Sequence, residues 1–173
     1  MLRSTSKHAR ARLPYDAHMN REHHYRAHLI WDGNRGDGTA TYGGYGRQYR
    51  VVIDGKPELH GTADVAFRGE ADKLNPEDLF IAAISSCHML SYLALCAKHG
   101  IRVVAYEDEA TGTMKEDGAG GGRFEEVVLQ PSVTITDAND ADRAMQLHER
   151  AHALCFIANS CSVPIHHRAT VRS

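Results

Sequence analysis

The sequence predicts one domain of the α+β class, in which strands and helices follow one another in blocks. Two segments with helical spacing of apolar residues, 75–99 and about 139–157, are separated by strand-like segments in the order βββ-α-ββ-α-β. The strands do not alternate regularly with helices, as they would in a parallel α/β sheet. We place the domain at 19–173 and expect the basic residues 1–18 to form a disordered extension.

Short strands are predicted on both sides of the first helix. Segments 25–31 and 48–53 alternate apolar and polar residues around a Gly-rich turn region, and 62–67 is a third strand candidate. Segments 101–114 and 124–136 should pair as a hairpin closed by the Gly-rich loop 116–123. Segment 163–171 should form the last strand.

The first helix has signals at both of its ends. Asn75 is a favourable N-cap, Pro76 suits the first helical position, and Glu77 complements the positive end of the helix dipole. The helix should end at His99, because Gly100 can adopt the left-handed conformation that stops it. Its apolar residues cover more than one stripe, so we expect a central, largely buried helix.

Composition excludes several classes of function. The net charge of −2 gives no reason to expect nucleic-acid binding. No uninterrupted apolar run reaches the roughly 18 residues of a membrane span, so no membrane partner is expected. The N-terminus lacks the apolar central region of a secretion signal. A cytoplasmic location is therefore expected, where thiols stay reduced unless they have a redox role.

The four cysteines carry the first candidate chemistry. They form no CxxC pair, which removes the strong zinc-ribbon and thioredoxin-type signals. Cys96 and Cys161 are expected to pack as small apolar residues. Cys87 and Cys155 lie one on each predicted helix, and they are either packed in the same way or form a redox couple.

A second candidate is the sequence HERAH, which spans 148–152 and matches the H-E-x-x-H pattern of zinc hydrolases. His148 and His152 would lie one helical turn apart, with Cys155 on the same face at the following turn. The longer metalloprotease pattern fails, because Ala158 occupies the position of its third histidine. We therefore expect a solvated or interfacial helix face, no metal and no cofactor.

A catalytic Cys87 would need a cation from outside its own helix. The thiolate is the reactive form of cysteine, and burial by itself raises the pKa of a thiol. Cys87 lies roughly 16 Å from the helix N-terminus at 1.5 Å per residue, which is too far for the dipole to stabilise its anion. Two arginines that are near in the sequence are candidates: Arg68 in FRG and Arg35 in GNRGDG.

Several of these motifs together resemble a known family. FRG, NPEDLFIAAISSCHMLSYL and the later HALCFIANS are similar to osmotically inducible protein C and the organic hydroperoxide resistance proteins. The resemblance runs from about residue 25 to the end. It implies an α+β fold assembled as an intertwined homodimer with its active sites at the interface. It also implies a peroxiredoxin-like thiol peroxidase that reduces hydroperoxides, often organic ones, without metal or flavin.

The resemblance also implies roles for individual residues. Cys87 would attack the peroxide, and Cys155 would resolve the resulting sulfenic acid into a disulfide that a dithiol, such as a dihydrolipoyl group, reduces. Glu77 would hold the activating arginine, which is Arg68 by one branch of the family and Arg35 by the other. We favour Arg68 because of its spacing from NPE, and both stay open. A non-catalytic stress or ligand-binding protein on the same fold and a metal-dependent hydrolase are the alternative functions.

Overall fold

A computed structural model describes residues 21–173, so the predicted extension 1–18 lies outside the described residues. The described chain is of the α+β class, as predicted. Its helices are α1 Pro76–Lys98 and α2 Ala141–Leu154. Its strands are β1 His28–Trp31, β2 Tyr49–Val52, β3 Leu59–Gly61, β4 Val103–Asp108, β5 Thr111–Glu116, β6 Gly122–Leu129, β7 Pro131–Ile135, β8 Ile165–His167 and β9 Thr170–Arg172.

Helix α1 begins and ends where the sequence predicts. The Asn75 side chain accepts a hydrogen bond from the backbone N–H of Asp78, and the Asp78 carboxylate accepts one from the Asn75 N–H. This capping box satisfies two of the N–H groups that a helix start leaves without partners. At the other end Gly100 has φ of 75°, the left-handed conformation that stops the helix.

The described strands form three small sheets, and both arms of the predicted hairpin are divided between two of them. The sheet orders are β1-β2-β3, β4-β7-β9 and β5-β6-β8. Each arm of the hairpin therefore leaves one sheet and enters the other. Asp108 accepts the backbone N–H of Gln130 at 2.7 Å, and the Gln130 amide donates to the carbonyl of Glu109 at 2.8 Å. These bonds join the two arms where they change sheets.

The third strand prediction is wrong in its position. Segment 62–67 contains a 3-10 turn at Val65–Phe67, and the strand lies before it, at β3. The Asp64 carboxylate caps this turn by accepting the backbone N–H of Ala66 at 2.7 Å. A side chain that bonds its own neighbouring backbone in this way competes with strand pairing.

Helix α1 packs on α2 and β4, but a single chain covers it incompletely. Only 28% of its most apolar 18-residue stretch is buried. The prediction of a largely buried helix is therefore not met within a single chain. The segment is also long and apolar enough to cross a membrane by length and composition alone, a property that the search for uninterrupted apolar runs missed. Its buried residues are those of a core helix and include Ile84, Tyr92 and Leu95.

Candidate functional site

The two cysteines predicted to work together are adjacent in the structure. Cys87 lies half-buried in the middle of α1, and Cys155 is 0% exposed directly after the last residue of α2. Neither forms a disulfide. Burial, together with a hydrogen bond to Cys87, raises the pKa of the Cys155 thiol to about 11. Helix packing therefore brings together two thiols that are 68 residues apart in the sequence.

Cys155 is not part of the second helix, which corrects the sequence prediction. Helix α2 ends at Leu154, and Cys155 has an extended ψ of 110°. The chain then turns back, so that the backbone N–H of Ala158 donates to the Cys155 sulfur at 3.4 Å. A second N–H, from Ile157, also lowers the pKa of Cys155 and partly opposes the effect of burial. Two backbone donors thus point at a sulfur that water cannot reach.

Glu77 lies in the first turn of α1 and does not reach Cys87. The helix continues without a break from Pro76 to Lys98, so the two residues are roughly 15 Å apart along the axis. One carboxylate oxygen of Glu77 is fully buried and has no hydrogen-bond partner among residues 21–173. The pKa of Tyr49 is raised by burial and, to a smaller extent, by the charge of Glu77, which places the carboxylate beside β2.

Neither candidate arginine pairs with Glu77 in the described chain. Arg68 is exposed, has φ of 67°, and holds its guanidinium 5.1 Å above the ring of Tyr42. Arg35 is exposed in the Gly-rich loop. Its positive charge acts on Glu70: hydrogen bonds from neighbouring side chains lower the pKa of Glu70, and the charge of Arg35 lowers it slightly further. Between residues 21 and 173 no ion pair connects either arginine to Glu77.

A third arginine in this region was not singled out by the sequence analysis. Arg47 lies against the rings of Tyr42 and Tyr45, with its guanidinium carbon 4.6 and 4.0 Å from their centroids. Its N–H groups donate to the carbonyls of the same two residues at 2.8 and 2.6 Å. The signal in the sequence is the repeated tyrosine and glycine of TYGGYGR, which supplies two rings around one cation.

The other two cysteines are packed, as the sequence predicts. Cys96 is 1% exposed in the core cluster that contains Tyr92, and burial raises the pKa of its thiol. Cys161 is half-buried and donates to the carbonyl of Ile157 at 3.4 Å. It lines a cavity of about 530 Å³ beside the stacked rings of Phe80 and Phe124. Neither this cavity nor the cleft between α1 and β4 is lined by Cys87.

The HERAH motif lies in a different environment from the solvated or interfacial face that was expected. His148 is 0% exposed, and its Nδ1 lies 3.1 Å from Nε2 of His88, the residue next to Cys87. Helical spacing explains the burial, because His148 shares the apolar face of Ala144 and Ala151. Within residues 21–173 no group of three or more His, Cys, Asp or Glu side chains is arranged to hold a metal ion.

The sequence profile of OsmC-like proteins matches residues 69–168, which include both cysteines and both helices. The chain belongs to the OsmC-like protein family. It is 26% identical over 141 residues to the uncharacterised protein YmaD of Bacillus subtilis, covering 80% of this chain and 82% of YmaD.

Solved structures have the same fold. An OsmC-like protein of unknown function from Vibrio cholerae matches 86% of this chain and 100% of its own, with 28% identity and a TM-score of 0.75. An organic hydroperoxide resistance protein from Elizabethkingia anophelis matches 90% and 99%, with 21% identity and a TM-score of 0.64.

Proposed function

We propose that this OsmC-like protein reduces hydroperoxides with Cys87 as the attacking thiolate and Cys155 as the resolving thiol. The observation that carries the proposal is the contact between these two thiols at the junction of α1 and α2. Membership of the OsmC-like family and the structural likeness to organic hydroperoxide resistance proteins support a peroxide-related role.

The different environments of the two sulfurs support this division of roles. Cys87 is partly exposed, so a peroxide can approach it, whereas Cys155 is fully enclosed. The raised pKa of Cys155 keeps it as a thiol at neutral pH, in the form that can donate a hydrogen bond to a Cys87 thiolate. The thiolate takes the distal peroxide oxygen, which gives a sulfenic acid and an alcohol. Condensation with Cys155 then gives a disulfide and water, and an external dithiol restores both thiols.

We also propose that the active unit is a homodimer. A stripe of small and apolar side chains is exposed along α1 at about four-residue spacing, and Leu90 within it is 62% exposed. An exposed apolar stripe on the longest helix of a domain favours burial against a partner, and a second copy supplies the same stripe by symmetry. Members of the stripe are Ala82, Ser86, Leu90, Ala94 and Ala97.

The catalytic proposal is tested by turnover with several hydroperoxides and several thiols, followed by peptide mapping after one equivalent of peroxide. We expect a Cys87–Cys155 disulfide in the wild type and no turnover in Cys87→Ser. Cys96→Ser is the matched control, because Cys96 lies on the same helix in the core. Pairing of Cys87 with Cys161 would assign the resolving role to Cys161. No thiol oxidation by any hydroperoxide would favour a non-catalytic binding protein.

The assembly is tested by analytical ultracentrifugation at low micromolar concentration. The wild type should sediment as a dimer and Leu90→Lys as a monomer. Met114→Lys, which places the same charge at an exposed position on β5, should leave the dimer intact. A wild-type monomer with full activity would exclude an active site that depends on two subunits.

We propose a cytoplasmic location, since reduced thiols persist in that compartment.

A further inference from the structure

Four histidines from three elements lie together, and two of them, His88 and His152, are close in sequence to Cys87 and Cys155. His88 comes from α1, His148 and His152 from α2, and His167 from β8. The ring centroids of His88, His148 and His167 are 5.4 to 6.0 Å apart, and His152 lies 6.1 Å from His167. The sequence analysis considered only the two histidines of HERAH, and the fold adds the other two.

This cluster is short of hydrogen-bond partners. A neutral imidazole has one N–H donor and one acceptor nitrogen. The bond between His88 and His148 uses one nitrogen of each ring, while the other nitrogen of each is fully buried without a partner among residues 21–173. Nδ1 of His152 is also buried without a partner. A buried polar atom without a partner costs free energy, and a catalytic role is one of the reasons for which a fold retains such an atom.

The buried pair is electrically neutral under ordinary conditions. Burial, with smaller contributions from the neighbouring histidines, lowers the pKa of His88 to about 4 and that of His148 to about 3. Among residues 21–173, the carboxylate whose charge acts on His88 is that of Asp108. On the outer side, Nε2 of His167 lies 3.4 Å from a carboxylate oxygen of the exposed Glu149. The cluster thus extends from a neutral interior to a charged surface.

His152 is the member of the cluster that is nearest to Cys155 along the chain. It precedes Cys155 by three residues, and the backbone N–H of Cys155 donates to its carbonyl at 3.2 Å. The helix ends at Leu154, but Cys155 keeps a helical φ of −72°. Its Cβ therefore lies in the position that it would have if the helix continued by one more residue. Side chains three residues apart on a helix are neighbours, with Cβ atoms about 5 to 6 Å apart.

We propose that His152 is the base that removes the proton of Cys155 during disulfide formation. The inference rests on the function proposed above. The Cys155 S–H bond breaks and its proton passes to a nitrogen of His152, while the thiolate attacks the sulfur of the Cys87 sulfenic acid. The S–S bond forms, the S–O bond breaks, and the departing hydroxide takes the proton from His152 as water. Because Cys155 is 0% exposed, solvent cannot accept this proton directly.

The test separates proton removal from peroxide chemistry. Reduced protein in a Cys161→Ala background receives one equivalent of a nitrobenzoate disulfide, whose thiolate product is coloured. The first release of colour reports attack by Cys87, and the second reports displacement by Cys155. In His152→Gln we expect an unchanged first release and a second release slowed about a hundredfold at neutral pH, the usual size of a general-base effect. His152→Asn must behave in the same way.

The pH dependence distinguishes a base from a residue that only packs. Without a base, the second release depends on the fraction of Cys155 that is already thiolate and should rise about tenfold per pH unit, because Cys155 has a pKa of about 11. His166→Gln, an exposed histidine beside His167, is the control and should match the wild type. A second release at the wild-type rate in His152→Gln would overturn the inference, as would equal slowing of both releases. Failure of every hydroperoxide to oxidise Cys87 would overturn the proposed function instead, since this assay contains no peroxide.

Discussion

The buried histidine pair should make the stability of this protein depend on pH in a defined window. His88 and His148 are 1% and 0% exposed and have folded-state pKa values of about 4 and about 3. In the unfolded chain both titrate near pH 6.5. Below that pH both histidines bind protons in the unfolded chain but not in the folded chain. Stability is therefore complete above about pH 6.5 and falls as the pH drops toward the folded pKa values.

The size of the effect follows from the two pairs of pKa values. At about pH 5, protonation stabilises an unfolded histidine by about 2 kcal/mol, while the folded residues are still almost entirely neutral. His88 and His148 together should therefore remove about 4 kcal/mol from the free energy of unfolding. This is a large part of the 5–15 kcal/mol that is typical of a domain.

The assay is urea unfolding followed by far-ultraviolet circular dichroism, at about pH 7.5 and about pH 5 and at one protein concentration. His148→Asn and His88→Gln keep an amide where the bonded nitrogen lay. The acid loss is the decrease in the free energy of unfolding between about pH 7.5 and about pH 5. Each substitution should reduce this acid loss by about 2 kcal/mol, independently of its effect on stability at the higher pH. His166→Gln, at an exposed position, should keep the full acid loss.

An acid loss in His148→Asn as large as that of the wild type would contradict the prediction that His148 contributes to it. Such a result would mean that His148 accepts a proton in the folded state without cost. It would also show that the pair of His88 and His148 is not held neutral by the fold.

Two further predictions concern the activating cation and metals. The family resemblance assigns the activation of Cys87 to Arg68, although no ion pair joins Arg68 to Glu77 among residues 21–173. On that assignment, Arg68→Met should slow alkylation of Cys87 at neutral pH about tenfold or more, the size expected for loss of an activating cation, and Arg35→Met should have little effect. If only Arg35→Met slows the reaction, the roles are reversed. The purified protein should contain well under one equivalent of zinc by elemental analysis, and a chelator should leave peroxidase activity intact. Stoichiometric zinc that is lost together with activity in His148→Ala would restore the hydrolase hypothesis.

Local signals were sufficient to predict the first helix and its cysteine. Asn75, Pro76 and Gly100 act within one turn of their own positions, so the bounds of α1 can be read without knowledge of the rest of the chain. The class of the fold could also be predicted, because it depends only on the order of helical and strand-like segments.

The features that could not be predicted are those in which long-range contacts outweigh local preference. The hairpin arms were each expected to be one strand, yet both change sheets where Asp108 and Gln130 meet across the chain. Helix α2 was expected to include Cys155, but it ends at Leu154. The chain turns after Cys155, and the backbone N–H of Ala158 donates a hydrogen bond to the Cys155 sulfur.

The fold class, the capped helix α1, and the placement of Cys87 and Cys155 in or next to different helices could be read from the sequence. Those features depend on residues within a few positions of one another. The folded chain was needed to show that Cys87 and Cys155 touch and that histidines from three elements lie together. It was also needed to show that neither Arg68 nor Arg35 forms an ion pair with Glu77 among residues 21–173. These depend on how α1, α2 and β8 pack, and packing joins residues whose separation in the sequence carries no periodic signal.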